Sequence, residues 1–285
     1  MEVAFSIDPA QNLSPADELD CVRFAAKLGY QSAWTPGRGD VAAFDRCLAW
    51  YQASGLPTGI AVVPASGERP EFYARQAARV WQGTGGKFVL GVGSGQLAHP
   101  VGEMGRYLEA LRPLLPPELP LYVAALGPRM LQLAGELADG VSLNWCSVDQ
   151  VARSRSEVEL AASRAGRPTP PIISYIRTAV DSDAAAACQI LTNAMREYAL
   201  APGPYRRHFE KMGFAEELAH LDSDRTRPGQ LPAAVGAAGA PGAVRQQFLG
   251  LSQGLDCAIV RVLVREPGNA ASARRVLEEC RPASC

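Results

Sequence analysis

Lys87-Phe88-Val89-Leu90-Gly91-Val92-Gly93-Ser94-Gly95-Gln96 is the stretch that decides the fold. Its first half is an apolar run without the polar alternation of a half-solvated strand, so it reads as a strand buried on both faces. Its second half is a glycine turn leaving that strand. Upstream, Pro70 opens a helix through Trp81, closed by Gly83 and Gly85-Gly86. Downstream, Tyr107 to Leu115 reads as helix, and Leu121-Tyr122-Val123-Ala124-Ala125 is the next buried run.

The same rhythm extends both ways. Toward the start, Val3–Ile7 is a strand, and Ser14-Pro15 with Asp17 marks a helix start that Gly29 ends. Tyr30–Trp34 is a second strand, Asp40 to Ser54 a helix stopped by Gly55, and Thr58–Val63 a third strand. Toward the end, Gly127-Pro128 starts a helix reaching Ala138, and Val141–Trp145 is a strand. Ser147-Val148-Asp149-Gln150 forms a capping box for a helix ending near Gly166. Ile172–Ile176 and Cys257–Val264 are the seventh and eighth strands, and a last helix covers Ala270 to Cys280. Eight buried strands alternating with helices predict a (β/α)8 TIM barrel, one domain over residues 1–285. One segment, 181–242, breaks the rhythm between strands seven and eight. It holds a helix from Asp183 to Ala199 and Pro-Gly punctuation at Pro202-Gly203-Pro204, Pro228-Gly229 and Pro241-Gly242. This insertion is expected over the barrel mouth or as a surface for another subunit.

Composition excludes several classes. Against 29 acidic residues stand 28 Lys and Arg, a formal net charge of −1, so no broad basic surface invites nucleic acid. No apolar run reaches the roughly 18 residues of a membrane helix, and Met1–Phe5 lacks the pattern of a secretory leader. Seven cysteines without a CxxC pair and three histidines give no metal-ligand spacing; free thiols in a reducing cytoplasm are expected.

In such a barrel, chemistry gathers at the C-terminal ends of the strands. That rule selects Asp8, Gly37–Asp40, Ser66–Arg69, Gly93–His99, Leu126-Gly127, Asn144-Trp145, Tyr175–Arg177 and Arg261–Arg265. Gly91-Val92-Gly93-Ser94-Gly95-Gln96 opens like a dinucleotide fingerprint but has Gln96 at its last glycine position, so that motif fails. Ala125-Leu126-Gly127-Pro128 runs a strand end into a helix N-terminus, a place suited to an anion. There is no GxSxG nucleophile elbow, and Asp8, Asp40 and Glu68 are scattered over three loops, which disfavours a glycosidase. Polar and cationic groups without a nucleophile suit a cofactor that brings its own chemistry.

Three blocks together resemble the bacterial luciferase-like superfamily. They are Phe88–Gly95; Pro120–Pro128 with Leu133-Ala134 and Ala138–Val141; and Gly239–Val244 with Gly254–Asp256. They keep the family order along the chain, and the branch they resemble is the coenzyme F420-dependent oxidoreductases. The resemblance implies a barrel using F420, with FMN as the alternative. It implies hydride transfer between the cofactor and a small organic substrate carrying C=C, C=N or a carbinol/carbonyl group. The other readings are an FMN-dependent monooxygenase and a non-catalytic flavin-binding relative. Carried over, Ile60 and Ala61 would hold a bulge behind the ring, often with a cis peptide, and Val63 would border the ring. Ser94, Gly95 and His99 would lie beside the cofactor, Ala125, Leu126 and Gly127 would offer N–H groups to its phosphate, and Asn144 would complete the set. Two positions depart from the sugar-phosphate branch: Gly37 and Arg38 stand for an Asp-His pair, and Gln96 for an acid, so that activity does not transfer.

The catalytic candidates are therefore Arg38, Gln96 and His99. Arg38 suits an anionic substrate because its guanidinium stays charged, and His99 suits proton transfer. A homodimer is expected, implied by the resemblance and by Trp50, Tyr51, Phe72, Tyr73 and Trp81, five rings on two adjacent helices that suggest an apolar outer patch.

Overall fold

The computed structural model describes residues 1–201, 203–223 and 229–283. Pro202 and Pro228, named above, and one of the seven cysteines, Cys285, lie outside the described residues. Nine strands are present among the described residues: β1 Glu2–Ile7, β2 Ala33–Thr35, β3 Thr58–Pro64, β4 Phe88–Gly93, β5 Leu121–Ala124, β6 Gly140–Asn144, β7 Ile172–Val180, β8 Gly236–Gly239 and β9 Cys257–Leu263. All pair in parallel, and β1 through β7 followed by β9 close an eight-stranded ring, since β9 pairs with both β7 and β1. This is a TIM barrel. The short β8 lies outside the ring, joined to the last four residues of β7.

Helices cover the ring: α1 Pro15–Lys27, α2 Ala42–Ser54, α3 Pro70–Gly83, α4 Pro100–Leu111, α5 Pro128–Leu137 and α6 Val148–Arg164. Then come α7 Ala184–Ala199, α8 Pro204–Phe209, α9 Ala215–Ser223, α10 Leu231–Val235, α11 Val244–Leu251 and α12 Ala270–Glu279. The starts follow the local chemistry. Ser14 Oγ accepts the Asp17 N–H at 3.2 Å, and Asp183 accepts from Ala185 and Ala186. The capping box at Ser147 forms by half. Its hydroxyl accepts the Gln150 N–H, but the Gln150 amide turns to Ser154 Oγ at 3.1 Å instead of returning to the cap.

Side chains alternate between two layers, as strand geometry requires. Ala4, Trp34, Ala61, Ile173, Tyr175, Cys257 and Ile259 form a cluster of their own. The larger cluster, with Phe5, Ile60, Val63, Leu90 and Val260, packs under the helices. β2 is shorter than expected. Tyr30 precedes it and is buried for another reason, donating its hydroxyl to the Leu277 carbonyl at 2.8 Å.

The outer aromatic patch is not there. Trp50 is fully buried, stacked on Phe5 and donating Nε1–H to Glu18 at 2.7 Å. Tyr73 is fully buried as well and donates to the Pro64 carbonyl. Phe72 and Trp81 are half-buried against the same core, and Lys87 lies over the Tyr51 ring. The inward stripe holds more aromatic volume than its spacing suggests because α1 supplies a polar partner for the indole. The homodimer thus loses its aromatic argument.

The insertion between β7 and β9 has a core of its own. Leu191, Met195, Phe209, Leu218 and Leu231 pack with Trp145, Ala179 and Leu263 from the barrel. It lies over part of the mouth, where Glu197 and Tyr198 of α7 help line the opening.

Candidate active site

Three groups of residues surround the mouth. The first is at the ends of β3 and β4. The register between them shifts from Ile60 to Val63, and the Ala61–Val62 peptide is cis. Val62 consequently lies across two glycines of β4. A Cβ on Gly93 would come 2.7 Å from Val62 Cγ2, and one on Gly91 would overlap the Ile60 carbonyl oxygen. Only glycine permits this close approach. Val62, half-buried, rather than Val63 is the valine set against these glycines. Val63 is fully buried under the helices, where it packs against Gly37. Ile60 is fully buried in the same layer, and Ala61 faces the lumen. Gly95 takes φ +58 and sits against Pro64, while Gln96 donates its N–H to Ser66 Oγ at 2.9 Å. Ser94 is half-buried in this turn.

The second group is at the ends of β5 and β6, under the insertion. Ala125 is no phosphate donor, because its N–H is used by the Ser142 carbonyl at 3.1 Å. The buried His208 of α8 hydrogen-bonds the Leu126 backbone, with its Nε2 3.1 Å from the Trp145 carbonyl and 3.6 Å from Cys146 Sγ. Burial lowers the His208 pKa to about 4 and raises that of Cys146 to about 12, so the pair is neutral. Gly127, at the start of α5, retains open space. Asn144 is occupied: its Oδ1 accepts from Arg177 at 2.7 Å and its amide donates to the Tyr205 hydroxyl at 2.7 Å.

The third group is a cavity of about 610 Å³, lined in part by Asp8, Thr35, Gly37, Arg38, Tyr198 and Arg261. Arg261 donates to the Asp8 carboxylate and stands 4.8 Å from the Tyr175 ring. Burial alone would raise the Asp8 pKa, but the charge and hydrogen bond of Arg261 bring it below the ordinary value, so it is a carboxylate. Arg177 stacks 3.7 Å from the Trp145 ring and donates to the Tyr198 hydroxyl at 3.3 Å. Burial, and then the like charge of Arg261, lower its pKa to about 9.

Of the three catalytic candidates, only Arg38 lines this cavity. Arg38 is exposed and forms no ion pair among the described residues. Gln96 is exposed on the glycine turn, and His99 is exposed at the start of α4, its N–H donating to Glu103. The strand-end rule had named Asp8, Arg177 and Arg261 without assigning them roles. Tyr198, Tyr205 and His208 carried no sequence signal, since nothing in their spacing says which strand end the insertion covers.

Barrel, mouth and insertion together define a class. The sequence pattern of the luciferase-like monooxygenases matches residues 104–250, and the chain belongs to that family. Among curated relatives, the 5,10-methylenetetrahydromethanopterin reductase of Archaeoglobus fulgidus is 34% identical over 84 residues, 29% of this chain and 25% of the relative. The match thus spans about a quarter of that relative's length. The coenzyme F420-dependent tetrahydromethanopterin reductase of Methanopyrus kandleri superposes with a TM-score of 0.73 at 17% identity, covering 98% of both chains. The FMN-bound oxygenating constituent of 3,6-diketocamphane monooxygenase from Pseudomonas putida superposes with a TM-score of 0.66 at 12% identity, covering 99% of both. Both have the fold of this chain. The family's members are oxidoreductases and monooxygenases, and a flavin or deazaflavin cofactor is consistent with these neighbours.

Proposed function

We propose that the chain is an F420-dependent oxidoreductase acting on a small organic substrate. The observation that carries this reading is the close approach of Val62 to the β4 glycines, tied to a cavity of about 610 Å³ through Gly37, which lines that cavity and donates its N–H to the Val62 carbonyl at 3.3 Å. A flat ring needs such a close, side-chain-free approach, and a second molecule needs space next to it. Ala61, Val62, Gly93, Ser94 and Gly95 would hold the ring, and Gly127 at the start of α5 would meet the anionic tail. The cofactor supplies a carbon that gives or takes a hydride; the protein positions the two molecules and excludes water. Arg38 holds an anionic part of the substrate. Asp8, paired with Arg261, serves as a fixed carboxylate rather than an acid. With His99 outside the cavity lining, a proton donor is better sought among the groups that line it. The likeness to F420-dependent enzymes supports the deazaflavin.

The test is a titration of the purified chain with F420 and, separately, with FMN, read by quenching of cofactor fluorescence. Saturation by F420 at micromolar concentration with no response to FMN is expected. Micromolar FMN binding without F420 binding refutes the assignment.

A further inference from the structure

At the mouth lie two buried guanidinium groups, and among the described residues Asp8 is the one carboxylate in an ion pair with either. Arg177 and Arg261 are partners in the β7–β9 register, each more than nine-tenths buried. Asp8 answers Arg261. Arg177 has no carboxylate partner among the described residues; it rests on the Trp145 face, the Asn144 carbonyl and the Tyr198 hydroxyl.

A guanidinium has only donors, so each of its hydrogen bonds makes an acceptor of its partner. That polarity propagates outward. The Tyr198 oxygen accepts from Arg177. Asn144 uses its carbonyl on Arg177 and its amide on Tyr205, so the Tyr205 oxygen accepts too. Neither hydroxyl hydrogen has an acceptor among the described residues, and Tyr198 lines the cavity. The network therefore ends in an unused O–H donor backed by excess positive charge. Of the other charges lining the cavity, Arg38, Asp40 and Glu197 are exposed and weakened by solvent and the half-buried Arg46 is paired with Glu18 at 2.9 Å, whereas Arg177 and Arg261 are buried.

We infer that this cavity takes its substrate through an oxygen that carries or gathers negative charge, as in a carbonyl compound, bound by the Tyr198 hydroxyl with Arg177 and Arg261 behind it. Fixed donors in a water-poor site favour such an oxygen far more than the same groups do in bulk water. Burial, and then the like charge of Arg261, hold the Arg177 pKa down to about 9. An oxyanion would supply the missing partner, whereas an N–H group of a ligand would meet another donor. The inference rests on the proposed function for its substrate but not for its subsite.

The probe is 4-nitrophenol, an oxyanion mimic whose two protonation states differ in visible absorbance, added to the protein without cofactor. Wild type is expected to bind the anion about tenfold more tightly than the neutral phenol, so the bound phenol ionises at lower pH than the free one. Tyr198→Phe keeps the ring contacts with Trp145 and Tyr205 and should abolish that preference. Asp8→Asn leaves both arginines unanswered and should increase it. Absence of binding, equal binding of both forms by wild type, or an unchanged preference in Tyr198→Phe overturns the inference. The two readings fail separately. Nitrophenol selectivity with neither cofactor binding removes the proposed function alone, and F420 binding without that selectivity removes the subsite alone.

Discussion

Gly91→Ala tests the proposed ring-binding shelf directly. The new methyl would overlap the Ile60 carbonyl oxygen and lie 2.9 Å from Val62 Cγ1 and 3.4 Å from Ala61 Cα. Two of these three obstacles are backbone atoms of β3, which pairs with β4 on either side of the register shift, so no side-chain rotation relieves the contact. The strands must separate or the bulge must re-form. Overpacking of this kind costs about 1–3 kcal/mol, and a backbone obstacle puts this site toward the upper end. For a chain of this size about 3 kcal/mol corresponds to a melting shift of roughly 6–12 °C. Gly127→Ala is the matched control, since a Cβ there meets nothing within 4 Å and Gly127 has φ −116. Thermal melting and cofactor titration on both variants give the comparison. Gly91→Ala should melt lower and lose cofactor affinity, while Gly127→Ala should keep its melting temperature. If Gly91→Ala melts within about 2 °C of wild type and binds cofactor equally well, the close approach is not what shapes the site.

Other perturbations separate core from surface. Trp50→Ala should cost about 3–5 kcal/mol in denaturant unfolding, and Trp50→Glu should unfold the chain rather than release a folded monomer; a folded Trp50→Glu protein would contradict the burial. His208 has a folded pKa near 4 against an ordinary 6.5, so the unfolded chain takes up a proton first as pH falls. That contribution is intact above pH 6.5 and is lost toward pH 4, by on the order of 3 kcal/mol. Urea midpoints should fall over that window in wild type and stay flatter in His208→Gln, and a flat wild-type profile would count against the buried ring. Thiol reagents on the native protein should modify the exposed Cys188 and spare Cys146, whose burial raises its pKa to about 12. Rapid labelling of Cys146, read by peptide mass, would show that α8 does not cover it.

The ring was legible because its strands are uninterrupted apolar runs, and burial on both faces leaves no other pattern for them. β8 was not, because Gly236-Ala237-Ala238-Gly239 has no large side chain to announce a strand. Its glycine is required by neighbours distant in sequence, since a Cβ on Gly236 would come 3.0 Å from the Arg177 carbonyl. At the site, the glycines of β4 were readable from spacing. The choice between Val62 and Val63 was not, because a bulge reverses the alternation that assigns faces. Arg177, Asn144, Tyr198 and Tyr205 lie on four elements, and no local spacing links them. The aromatic residues of α2 and α3 misled because a count of rings does not reveal that Glu18 of α1 receives an indole N–H.

β8 also changes what the insertion is. β7 pairs with β6 through residues 172–175 and with β8 through residues 177–180, while β9 runs along its other edge. The insertion is therefore stitched into the sheet by main-chain hydrogen bonds, not hung from it by two loops. Excising residues 184–239 and rejoining the ends would leave the upper half of β7 as an open sheet edge, and such edges recruit strands from other chains. An attempt to trim this protein to a minimal barrel should yield self-association, whatever becomes of the site beneath.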